Sequence, residues 1–208
     1  MRLRAVGARA VLVELGDVDE VWAWQVALMT ARDDGRLPGV EEIVPGARTV
    51  LLDGLESPAV VAAELATWDV EVAPGEGPAP GPLVEIPTVY DGEDLPWVAE
   101  QWGLDVEDAA AEHCGTELRA AFCGFAPGFA YLVGLPPSRH LPRRATPRPR
   151  VPAGAVAVAG EYTAAYPTAS PGGWHLIGRT DAVLWDPGRP RPALIVPGDR
   201  VRFVPVRP

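Results

Sequence analysis

Residues 169–180 read ASPGGWHLIGRT. The first half is built to turn, because Pro presets its backbone and Gly tolerates conformations that other residues avoid. The second half, 174–178, is a short apolar run that stops at Gly-Arg-Thr. Residues 118–208 repeat this texture. Apolar runs at 119–124, 156–159, 174–178, 183–185, 193–196 and 201–206 are cut by Pro and Gly. Short strands at regular spacing predict a closed or sandwich-like β structure for this part of the chain.

The N-terminal part reads differently. Residues 2–15 alternate and predict one or two strands. Asp17 is placed to cap a helix running to about residue 32, with Val21, Trp24, Ala27 and Leu28 on one face. Residues 40–44 and 49–53 predict two strands joined at Pro45-Gly46. Ser57 as cap and Pro58 at the first helical position predict a second helix carrying Val61, Leu65 and Trp68. The order β-α-β-β-α lacks one strand of a split β-α-β pattern.

Residues 73–82, APGEGPAPGP, are the best linker. The strand predicted at 83–90 either closes the first domain or opens the second. Two helices are expected at 93–102 and 106–114. The division expected is therefore an α/β domain over 1–82 and a β domain over 83–208.

Composition narrows the function. All 18 basic residues are Arg, and the net charge is −10. Without Lys the chain has neither a phosphate-loop Lys nor a Schiff-base Lys, and biotin cannot be attached to it. Residues 1–138 hold 7 Arg against 24 acids, whereas 139–208 hold 11 Arg against 4. The acidic part excludes broad nucleic-acid binding over that surface. The basic part fits an anion, an acidic partner or the chain's own acidic part. No apolar run approaches a membrane span, and no signal peptide is evident. The two cysteines, Cys114 and Cys123, are not a CxxC pair, so a soluble cytoplasmic protein with free thiols is expected. His113, His140 and His175 show no metal spacing, so no metal site is expected. Cys123 and His175 read as structural.

Three further stretches accompany 169–180 as places where chemistry can sit. In 124–132, GFAPGFAYL, two Gly-Phe pairs around Ala-Pro make a turn that displays aromatics, and Phe129 and Tyr131 suit a pocket wall. Residues 139–150 hold five Arg in a chain kept extended by Pro; Arg143 and Arg148 are favoured as a fork for carboxylate or phosphate. In 159–166, AGEYTAAY, Thr163 and Tyr166 offer hydroxyls. Ser170, Gly172 and Gly173 complete the candidates, the glycines allowing close approach of backbone to a ligand.

In order and spacing, GFAPGFAYL, PRRATPRPRVPAG, YPTASPGGWHLIGRT and PGDRVRF, with the earlier YDGEDLPWVAEQWGL and AEHCG, resemble the family that includes KipI, the 5-oxoprolinase component PxpB and allophanate hydrolase subunit 1. The resemblance spans roughly residues 10–207. It implies an α+β architecture: a small N-terminal split β-α-β (ferredoxin-like) domain and a C-terminal cyclophilin-like β-barrel. It also implies the B component of an ATP-dependent 5-oxoprolinase that opens 5-oxoproline to glutamate. Its partners would be a related protein of the PxpC or KipA type and a PxpA-like third component. The alternatives it implies are a KipI-like inhibitor of a sensor histidine kinase and an amide-binding component related to urea carboxylase. No nucleotide motif is present, so ATP is expected at a shared interface or on a partner. The chain departs from the family pattern at Ala130, where Pro is usual, at Ala155, where Ser is usual, and over 160–164. It matches at Arg143, Arg148, Tyr166, Ser170, Pro171, Gly172, Gly173 and Trp174.

Overall fold

A computed structural model describes residues 1–72 and 79–207. Most of the expected linker, 73–78, lies outside the described residues. The chain divides into two compact units, Met1–Pro80 and Gly81–Pro208.

The first unit contains β1 (Arg2–Val6), β2 (Ala10–Glu14), α1 (Val18–Asp33), β3 (Glu42–Pro45), β4 (Thr49–Asp53) and α2 (Pro58–Leu65). The Asp17 side chain accepts from the Glu20 N–H at 2.9 Å, which satisfies a donor the helix leaves free. Ser57 precedes α2 without a side-chain cap bond, contrary to expectation; Pro58 alone presets that helix start. The sheet order is β1-β2-β4-β3, all antiparallel. Because β4 lies between β2 and β3, the unit β2-α1-β3 is a split β-α-β. The missing fourth strand is β1, which arrives by an N-terminal hairpin rather than after α2. Val11, Val13, Val21, Leu28, Val50, Leu52 and Leu65 form the core under the two helices.

The second unit opens with β5 (Leu83–Thr88), α3 (Leu95–Trp102) and α4 (Val106–Gly115). It continues through β6 (Leu118–Cys123), β7 (Ala130–Val133), β8 (Arg148–Val151), β9 (Ala155–Ala159), β10 (Tyr162–Ala165), β11 (Ser170–Gly172), β12 (His175–Arg179) and β13 (Arg200–Pro205). Seven strands follow the order β12-β9-β10-β7-β6-β13-β5. Directly after β5, Val89 and Arg179 of β12 exchange backbone hydrogen bonds at 2.9 Å, and this closes the sheet into a barrel. The seam is tight: a Cβ on Gly92 would overlap the Leu176 carbonyl oxygen and the Ile177 backbone, so the close approach requires Gly. The strand after the linker therefore opens the second unit, where it runs parallel to β13.

Two expected strands are absent. Runs 183–185 and 193–196 make a single bridge, Trp185 to Ala193. Pro187, Pro190 and Pro192 lie between them and lack the N–H groups a ladder needs. Conversely, β8 and β11 are rich in Pro and Gly yet pair as a separate antiparallel ribbon, with an irregularity between Ser170 and Gly172. A small apolar cluster of Phe129, Val151, Tyr166, Trp174 and Leu176 underlies it. Among the described residues, no helix is long and apolar enough to cross a membrane.

Candidate functional site

The loop between β6 and β7 is a tight turn. The Phe129 N–H donates to Ala126 O at 2.9 Å, and the Gly124 N–H donates to Phe129 O at 3.2 Å. Phe125 sits in the left-handed region at φ 69°, unusual for a large residue, and is 62% exposed. Phe129 turns inward and is buried. Its ring meets those of Tyr131, Tyr166 and Trp174 edge-on, at centroid distances of 4.9, 5.2 and 5.6 Å.

Above these rings lies a cleft of about 250 Å³. Phe125, Phe129, Tyr131, Tyr166 and Trp174 form its aromatic walls; Arg143, Pro147, Pro171, Gly172 and Gly173 form the rest. Gly172 is needed because a Cβ there would stand 2.5 Å from the Tyr166 hydroxyl. Arg143 is the one cationic residue in the lining, and it has no carboxylate partner among the described residues. Tyr131 and Tyr166 hydroxyls likewise have no hydrogen-bond partner there. Burial holds both phenols above their ordinary pKa, and the nearby Arg143 charge pulls each partly back. The cleft thus combines flat apolar walls with a guanidinium and two phenolic hydroxyls, all free to bind a ligand.

Of the residues singled out in the sequence, Phe129, Tyr131, Arg143, Tyr166, Gly172 and Gly173 come together here. Arg148 and Ser170 do not line the cleft. Arg148 is held from below: Nη2 lies 2.8 Å from Asp94 Oδ1, and Nε lies 2.6 Å from Glu93 Oε1. A guanidinium so occupied by carboxylates is not a fork for an outside anion, so the role expected for Arg148 passes to anchoring the loop. Ser170 Oγ is buried without a partner on β11.

Asp94 went unread in the sequence. Its Oδ1 also receives Arg144 Nη1 at 2.8 Å, and its Oδ2 receives the Leu176 N–H at 2.7 Å. Burial pushes this carboxyl upward in pKa. Hydrogen bonds from Arg148 and Leu176, with the charges of Arg148 and Arg144, outweigh burial and hold it below the usual range. Beside Asp94 is a second cleft of about 620 Å³, lined by Trp97, Pro142, Arg143, Arg144, Thr146 and His175 among others. Trp97 stacks on His175 at 4.3 Å, and His175 Nε2 donates to Pro142 O at 2.9 Å.

The other buried polar chain lies in the barrel core. The Tyr90 hydroxyl is 2.7 Å from His113 Nδ1, and His113 Nε2 is 3.1 Å from Thr163 Oγ1. Burial pushes the His113 pKa down to about 3. Thr163, expected as a possible ligand contact, is therefore occupied in the core.

Residues 1–195 match the family described as carboxyltransferase domain, subdomain C and D. The chain is 41% identical over 210 residues to the B-type component of 5-oxoprolinase from Escherichia coli O157:H7, covering 98% of this chain and 95% of that protein. It superposes on the crystal structure of TTHA0988 with a TM-score of 0.77 at 38% identity, over 96% of this chain. The chain spans 40% of the length of that protein. The urea carboxylase of Kluyveromyces lactis has the same fold, with a TM-score of 0.72 at 21% identity over 99% of this chain and 22% of the enzyme.

Proposed function

The chain belongs to the carboxyltransferase subdomain C and D family that includes the B-type component of 5-oxoprolinase, and on that premise we propose that it is the B component of an ATP-dependent 5-oxoprolinase. In this reading it acts in the cytoplasm with a related C-type protein and a PxpA-like protein to open 5-oxoproline to glutamate. ATP binds at a shared interface or on a partner.

The observation that carries the reading is the aromatic cleft. 5-Oxoproline is a small, flat-sided ring bearing one carboxylate and one amide carbonyl. A guanidinium without a carboxylate partner matches the carboxylate. The walls formed by Phe129 and Trp174 match the ring, and the hydroxyls of Tyr131 and Tyr166 are donors for the carbonyl oxygen. Donors aimed at that oxygen favour the charge that develops there when the amide is attacked. The role of this chain is to bind and orient the lactam beside groups supplied by the other components.

The test is glutamate production that depends on both ATP and 5-oxoproline, measured in a mixture of the three components. The mixture is expected to lose activity when this chain is left out, and to lose most of it when the chain carries Arg143→Ala. Unchanged glutamate production without this chain overturns the reading.

A further inference from the structure

The second cleft has an unequal supply of hydrogen-bonding groups. Its only carboxylate, Asp94, has both oxygens occupied by Arg144, Arg148 and the Leu176 N–H. Pro142 O is occupied by His175 Nε2, and the other ring nitrogen of His175, Nδ1, is buried without a partner. The donors are not matched in the same way. Arg144 gives Asp94 one nitrogen, Nη1, while its Nε is buried without a partner. Thr146 contributes a hydroxyl with no partner among the described residues. Of the five arginines in 139–150, Arg139, Arg144 and Arg148 are paired with carboxylates. Arg143 and Arg150 have no such partner among the described residues, and of these two Arg143 is the one that lines a cleft. An exposed guanidinium without a carboxylate partner, beside a free hydroxyl, favours an anionic ligand.

We propose that this cleft is a phosphoryl subsite, which takes the phosphate of a nucleotide or free phosphate. The Arg143 guanidinium and the Thr146 hydroxyl, beside the Asp94-paired Arg144, are donors for the oxygens of such a group. Trp97 is 39% exposed, with one face on His175, and provides an apolar wall beside the anion. Arg143 lines both clefts, so a phosphate here lies within one side chain's reach of an acid bound in the aromatic cleft. The choice of a phosphoryl ligand rests on the ATP-dependent reading, but the subsite is measured separately from it.

The experiment titrates the full chain with inorganic phosphate, ADP and 5-oxoproline in parallel at constant ionic strength. It follows the side-chain N–H resonances of Arg143 and Trp97 and the ring resonances of Tyr131 and Tyr166. Phosphate is expected to shift Arg143 and Trp97 saturably. Arg143→Ala, which alters an exposed side chain, is expected to weaken binding about tenfold or more, with Trp97 then serving as the probe. Tighter binding of ADP than of phosphate identifies a nucleotide as the source; equal binding identifies free phosphate. No saturable shift with either ligand overturns the proposal. So does a shift that potassium chloride reproduces, or one that survives Arg143→Ala unchanged. A 5-oxoproline shift at the tyrosines without a phosphate shift removes the subsite and leaves the acid-binding reading standing. The converse result removes acid binding and leaves the subsite.

Discussion

Asp94 and Arg148, 54 positions apart in sequence, form an ion pair of 2.8 Å with only 10% and 15% of their side chains exposed. The pair joins the residue that precedes α3 to the first residue of β8. With Arg144 and the Leu176 N–H on the same carboxylate, it fixes the chain that follows Arg143, while the Arg139–Glu112 pair holds the chain that precedes it. The basic loop thereby contains residues that hold it and one, Arg143, that lines both clefts.

This division predicts opposite outcomes for two arginines. Arg148→Ala leaves the buried Asp94 charge underpaired and is expected to lower stability by on the order of 3 kcal/mol. Arg143→Ala is expected to change stability by less than about 0.5 kcal/mol while removing acid binding. Urea denaturation of the two variants decides it; an Arg148→Ala protein as stable as its parent contradicts the anchoring role.

Trp174 is 4% exposed and packs edge-on against Phe129 and Tyr131. Trp174→Ala is expected to cost about 3–5 kcal/mol. A loss below about 1 kcal/mol, read from urea midpoints, would mean that the ring faces an open pocket rather than supporting the barrel.

Local patterns made the elements readable, and long-range pairing hid the rest. Asp17 and Pro58 announce their helices within a few residues, and the runs that became β6, β9, β12 and β13 stand out between Pro and Gly. The ribbon of β8 and β11 has no apolar alternation, because its members SPG and RPRV take their order from each other. The 183–185 run has strand composition but is denied partners by the prolines that follow. The aromatic cleft was largely readable because its residues cluster in three stretches. Asp94 was not, since its partners lie 50, 54 and 82 positions away. No local signal separates it from the other acids of a helix start.

Gly172 makes a prediction about cleft shape. Its φ is not in the left-handed region, so the backbone accepts Ala. The new Cβ would stand 2.5 Å from the Tyr166 hydroxyl and push that group out of position. Gly172→Ala is expected to weaken 5-oxoproline binding about tenfold and, because Tyr166 and the neighbouring Val151 are buried, to lower stability by about 1–3 kcal/mol. Calorimetric titration and a thermal melt together check it.

Phe125 separates strain from recognition. At φ 69° any residue with a Cβ is strained. Phe125→Gly is therefore expected to be about 1 kcal/mol more stable than Phe125→Ala. Both variants lose one aromatic wall and are expected to bind 5-oxoproline more weakly than the parent. Equal stability of the two variants in urea would mean that the turn relaxes when the ring is removed.

His113 sets the acid limit of the barrel. Burial lowers its pKa to about 3, against about 6.5 in an unfolded chain. The unfolded state therefore takes up a proton that the folded state refuses as pH falls through 6.5. The contribution of the neutral ring is fully present above that value and is lost progressively down to about 3. Between pH 8 and pH 5 this one group is expected to remove roughly 2 kcal/mol of stability. The depressed Asp94 carboxyl adds its own loss only below the ordinary carboxylate range, near pH 4 and under. His113→Leu leaves the Tyr90 and Thr163 hydroxyls without their partner, so it is expected to be less stable at pH 8 by about 1–3 kcal/mol. It is also expected to lose most of the slope between pH 8 and pH 5. Urea midpoints at the two pH values for both proteins check this; a slope that persists in His113→Leu assigns the acid sensitivity to another group.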